Sequence, residues 1–71
     1  MATQIVAEMV ANVWKIVATP GDVLAVGDTV VILESMKMEI PVLTEYGGRV
    51  AELRVEEGDV VQEGDILAVL S

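Results

Sequence analysis

Residues 21–28 read GDVLAVGD, and residues 58–65 read GDVVQEGD. The second stretch is the first displaced by 37 positions, and the displacement holds along the chain: residues 1–34 align on 38–71 without a gap. Glu8 falls on Glu45, Val13 on Val50, Gly21-Asp22-Val23 on Gly58-Asp59-Val60, Gly27-Asp28 on Gly64-Asp65, and Leu33 on Leu70. Non-identical pairs are mostly conservative, as in Ile5/Val42, Ile16/Leu53, Leu24/Val61 and Ile32/Val69. Two copies are too few for a solenoid, which needs three or more. One domain over residues 1–71 with two-fold pseudo-symmetry is the expectation.

The repeat resolves a local ambiguity. Ile5, Met9 and Val13 are spaced by four, as on one face of a helix. Their mirror segment, Met38 to Arg54, contains Pro41 and Gly47-Gly48, which are poor helix interiors. If both copies share a fold, both segments are strands. Turn signals punctuate the chain at Thr19-Pro20-Gly21-Asp22, Val26-Gly27-Asp28, Tyr46-Gly47-Gly48, Glu56-Glu57-Gly58-Asp59 and Glu63-Gly64-Asp65. Strands are expected near 3–7, 12–17, 22–25, 29–35, 38–43, 49–54, 59–62 and 66–70. Eight short apolar-rich strands point to an all-β fold, with two sheets packed face to face or a flattened barrel.

Composition excludes whole classes of chemistry. The chain has 71 residues and neither cysteine nor histidine, which removes disulfides, thiol nucleophiles, His-based triads and Cys/His metal sites. Carboxylates alone offer no DxDxDG-like loop, so no metal site is expected. The acids form no pair beside a candidate nucleophile, so no catalytic residue is assigned. The net charge of −8 disfavours nucleic acid and anionic membrane surfaces as partners. No run of 18 apolar residues is present, and MATQIVAEMVANVWK lacks the basic start of a signal peptide. A soluble, cytoplasmic chain is the expectation.

Subtracting both copies leaves Ser35, Met36 and Lys37. Lys37 therefore has no mirror residue. By symmetry the junction is a hairpin, with strand 29–35 running in and strand 38–43 running out. Two-residue hairpin loops favour Asn-Gly or Gly-X, because the favoured turns need positive φ. Met-Lys is a poor local choice there, and a broken local rule at an exposed tip often marks function. The other lysine, Lys15, lies mid-strand opposite a mirror glutamate, Glu52, which reads as solvated strand surface. A turn lysine is also usually just a solvated side chain. Met36 and Met38 suit soft contacts to another protein, with core filling by at least one of them as the plain alternative.

Glu34-Ser35-Met36-Lys37-Met38-Glu39 resembles the attachment motif of biotin carboxyl carrier domains, whose centre is Met-Lys-Met. The pairs Gly21-Asp22, Gly27-Asp28, Gly58-Asp59 and Gly64-Asp65, with Gly47-Gly48-Arg49-Val50, are similar to the biotinyl/lipoyl pattern over nearly the whole chain. The length and the run ESMKMEIP are closest to free-standing biotin/lipoyl attachment proteins. The resemblance implies a barrel-sandwich hybrid: a flattened β-barrel of two four-stranded antiparallel sheets. It implies covalent biotin on Lys37, at an exposed hairpin opposite the termini, with Met36 and Met38 as the flanking recognition motif. Glu34 and Glu39 are candidates for steering by charge, though solvated strand ends explain them equally well. The implied partners are a biotin protein ligase and the biotin carboxylase and carboxyltransferase of a carboxylase system, the chain itself being a non-catalytic carrier. Ser35 stands where the family often has alanine. The gap-free repeat leaves no room for the thumb loop of some bacterial carriers.

Two other functions remain open on the sequence. A lipoyl carrier of a 2-oxoacid dehydrogenase or glycine-cleavage-type system, or a chain that accepts both biotin and lipoate, would use the same fold, but the lipoyl hairpin more often presents Asp-Lys-Ala. An unmodified hybrid barrel serving as a binding or assembly module, as in periplasmic adaptor proteins, would have no use for Met-Lys-Met.

Overall fold

A computed structural model describes residues 2–71. Its eight strands are β1 (Thr3–Val6), β2 (Ala11–Ile16), β3 (Val23–Leu24), β4 (Thr29–Ser35), β5 (Met38–Leu43), β6 (Gly48–Leu53), β7 (Val60–Val61) and β8 (Ile66–Leu70). They form two four-stranded sheets, ordered β1-β8-β6-β3 and β5-β4-β2-β7, and every pairing is antiparallel. Adding 37 to the residue numbers carries β1, β2, β3 and β4 onto β5, β6, β7 and β8, so it exchanges one sheet for the other. The spacing of Ile5, Met9 and Val13 thus belongs to two strands and the bend between them, not to a helix.

The symmetry extends to the irregularities. The β2–β4 register slips between Val13 and Lys15, and the β6–β8 register slips at the mirror positions, Val50 and Glu52. A second pair of slips lies at Ile5/Val6 in β1–β8 and at Thr29/Val31 in β4–β5. Bulges add local twist, which lets short sheets curl around a common core.

Four Gly-Asp turns fasten the copies to each other. In Thr19–Asp22 the Asp22 N–H donates to the Thr19 carbonyl (3.0 Å), while the Thr19 N–H donates to Asp22 Oδ2 (2.9 Å). The same pair of bonds recurs at Ala25–Asp28, Glu56–Asp59 and Gln62–Asp65. Each turn places its glycine at φ between 91° and 96°, where a side chain would be strained. The glycine N–H and the aspartate carbonyl then bond a strand or strand end in the other copy. Gly21 donates to Val50 and Val50 to Asp22; in mirror image, Gly58 donates to Val13 and Val13 to Asp59, all at 2.8 Å. With a turn on each side, β3 and β7 keep only two residues each, shorter than the four expected from sequence.

Residues at mirror positions fill the interior. Val30 and Leu67, Val31 and Ala68, Leu33 and Leu70, Val13 and Val50, and Leu24 and Val61 are all buried. Burying a valine or leucine side chain contributes roughly 1.5–3 kcal/mol, so this layer is the main source of stability. Thr44, the only buried polar residue among those described, satisfies its hydroxyl locally: Oγ1 donates to the Tyr46 carbonyl (2.7 Å) and accepts from the Tyr46 N–H (3.1 Å).

Candidate functional site

Strands β4 and β5 form the longest ladder and end in the loop Met36-Lys37. The pairs Leu33/Ile40, Glu34/Glu39 and Ser35/Met38 face each other directly up to that loop. A two-residue loop on right-twisted strands needs positive φ at both positions. Met36 sits at 53° and Lys37 at 65°, and among the described residues they are the only non-glycine residues in that region. The left-handed conformation costs an ordinary residue about 1–2 kcal/mol. The four Gly-Asp turns meet their own demand with glycine, so a glycine-free hairpin is a departure within this same chain.

The loop projects both methionines outward. Met36 is 91% exposed and Met38 62%, so neither fills the core, and the plain alternative of core filling does not hold. Lys37 is exposed. The only ion pair among the described residues joins Arg54 Nε to Glu52 Oε1 at 3.5 Å, far from the hairpin in sequence, so the Lys37 amine has no ionic partner. Glu34 is half-buried and Glu39 exposed, and the two acids lie across the ladder from each other just below the loop. Opposed like charges weaken a strand pair, so this pair is not there for the ladder.

A groove of about 380 Å³ lies apart from the hairpin. The mirror pairs Ile5/Val42, Val6/Leu43, Glu8/Glu45 and Met9/Tyr46 line it, which places it where the two copies meet. Met36, Lys37 and Met38 are not among its walls. Lys37 is therefore an amine held out to solvent rather than a group enclosed with substrate. Such an amine can form an amide with an incoming carboxyl group, and a tethered group there could swing freely. Lys15, by contrast, is exposed within β2, opposite Ile32 of β4.

The family profile described as "Biotin-requiring enzyme" matches residues 1–70. The chain belongs to the biotin/lipoyl attachment family. A Mycobacterium leprae relative, "Biotinylated protein TB7.3 homolog", is 51% identical over 71 residues, covering all of both chains. The Bacillus subtilis "Biotin/lipoyl attachment protein" is 48% identical over 64 residues, 90% of this chain and 88% of its own. Among solved structures, the Kluyveromyces lactis urea carboxylase contains a matching region with a TM-score of 0.93 and 37% identity; it covers all of this chain and 6% of that one. The two-sheet, pseudo-symmetric fold expected for the biotin/lipoyl family is the fold observed.

Proposed function

We propose that this chain is a biotin carrier whose Lys37 ε-amine is acylated by a biotin protein ligase. The observation that carries the reading is the exposed Met36-Lys37 loop, held in an unfavourable backbone conformation with no ionic partner for the amine. The name of the Mycobacterium leprae relative supports it, since that protein is described as biotinylated and matches from end to end.

The residues fit the group. Lys37 Nζ would give up its protons and form an amide with the cofactor's carboxyl group, which the ligase activates with ATP so that the activating group leaves; the lost positive charge would take the formal net charge from −8 to about −9. Once attached, biotin supplies the ring nitrogen that carries a carboxyl group. The barrel supplies a stiff base for the arm, so delivery to two active sites becomes local rather than bimolecular. Met36 and Met38 offer soft apolar contact to the enzymes that meet the hairpin, and Glu34 and Glu39 set the local field. The similarity to the urea carboxylase region supports a carboxylase system as the partner: biotin carboxylase to load the arm and carboxyltransferase to unload it. The chain itself contributes no catalytic group. We place this cycle in the cytoplasm, where ATP for ligation is available.

The test is labelling of the purified chain with ligase, ATP and biotin, followed by streptavidin blotting, with Lys37→Ala beside it. The expected result is strong signal on the wild type and none on the variant. A variant that labels as well as the wild type refutes the assignment of Lys37. A second reading, lipoate on the same lysine, has one observation in its favour: the Bacillus subtilis relative's name covers both groups. Parallel labelling with a lipoate ligase separates the two.

A further inference from the structure

The pseudo-symmetry gives each structural position an internal control. Where the fold demands a residue type, both copies should supply it. Where exposed mirror positions diverge, the fold is not the reason. The clearest divergence runs down β2. Val10, Trp14 and Val17 are 63%, 47% and 46% exposed, and their mirror residues are Gly47, Ala51 and Arg54. Trp14 is the extra residue of the bulge between Val13 and Lys15, and the identical bulge in β6 carries only Ala51. The bulge therefore does not need an indole. On the mirror face Arg54 pairs with Glu52, as on an ordinary solvated surface.

Trp14 lies on β2, which pairs with β4, the strand that runs into the Met36-Lys37 loop. Asn12 faces Glu34, which in turn faces Glu39, and all three lie toward solvent. Lys15 faces Ile32, which faces Pro41, in the next outward row. At about 3.3 Å per residue and one strand spacing sideways, Trp14 lies roughly 15 Å from Lys37.

Reach selects the occupant. A bare lysine extends only about 6 Å from its Cα, at about 1.5 Å per bond. The enzyme that acylates it must therefore press against the hairpin and its surroundings. An enzyme that meets the longer, loaded arm can stand further off. A standard interface covers about 800 Å² per partner, a disc of roughly 16 Å radius, so one centred on the tip reaches Trp14. Tryptophan is among the residues enriched at the dominant positions of such interfaces.

We propose that the outer face of the β5-β4-β2-β7 sheet around Trp14 is the docking surface for the ligase that acylates Lys37. This rests on the biotin-carrier reading above. The measurement is steady-state biotinylation kinetics of the full chain with varied carrier concentration, for wild type, Trp14→Ala, Trp14→Phe and the mirror-face control Arg54→Ala. Trp14→Ala is expected to raise KM for the carrier about tenfold, the usual scale for losing an interface anchor, with kcat within about twofold. Trp14→Phe should recover most of the loss, and Arg54→Ala should behave as wild type. Trp14 is the chain's only tryptophan, so 5-fluorotryptophan labelling gives a second readout: its ¹⁹F resonance should shift or broaden on adding unlabelled ligase. An unchanged KM in Trp14→Ala, or a resonance unmoved at saturating ligase, overturns the docking face. So does a resonance that moves with carboxylase or with the chain's own concentration but not with ligase. A wild type that takes up no biotin at all overturns the carrier reading instead, so the two failures are distinguishable.

Discussion

Met36 bears a conformational cost that a glycine would not. At φ 53° its Cβ meets the crowding that makes the left-handed region unfavourable, by about 1–2 kcal/mol. Replacing it by glycine removes that strain and also raises the entropy of the unfolded chain, which offsets part of the gain. Met36→Gly is expected to hold or raise the melting temperature by a few degrees, since about 1 kcal/mol moves a domain of this size by roughly 4–8 °C. Acylation of Lys37 in the same variant should slow about tenfold, because an exposed apolar contact for the ligase is gone. A clear fall in melting temperature would show that Met36 supports the fold after all. At this scale the sequence was informative about Lys37, because subtracting the repeat isolates it. It was less informative about Met36 and Met38: a methionine at a strand end can pack outward or inward on the local pattern, and the fold turns both side chains to solvent. Trp14 carries a signal of its own in the sequence, a large aromatic aligned on Ala51.

The Gly-Asp turn is the repeated element, and its aspartate does the same work four times. Each carboxylate accepts a backbone N–H three residues earlier at 2.9 Å. Removing such an acceptor costs about 0.5–1.5 kcal/mol. Asp22→Ala and Asp59→Ala occupy mirror positions, so urea melts should show losses of that size that agree with each other within about 0.5 kcal/mol. Asn at either site keeps an acceptor and should cost less. A large difference between the mirror variants would mean that the turns are not equivalent. The turns were legible from Gly-Asp alone, but the two-residue length of β3 and β7 was not. Strand propensity in Val23-Leu24 and Val60-Val61 cannot reveal that turns on both sides claim the neighbouring residues.

As a whole the molecule is two copies that complete each other. Gly21 and Asp22 bond Val50, Gly58 and Asp59 bond Val13, Gly27 and Asp28 bond Thr44, and Gly64 and Asp65 bond Ala7. Each sheet draws strands from both halves. Neither half should fold alone: peptides 1–37 and 38–71 are each expected to give a disordered far-UV circular dichroism spectrum, whereas a strand signal from either alone would deny this interdependence. The overall architecture was readable because the gap-free repeat carries Pro41 and Gly47-Gly48 into the register of residues 4, 10 and 11, ruling out the helix their spacing suggests. The most direct measurement follows from where the four basic residues fall. Trypsin cuts after Lys15, Lys37 and Arg49, but not at an acylated lysine. Protein isolated from its own cell, digested and mass-analysed, should yield an uncut peptide spanning residues 16–49 with one biotinyl adduct on Lys37. Separate, unmodified peptides 16–37 and 38–49, with no adduct-bearing form, would contradict a biotin carrier.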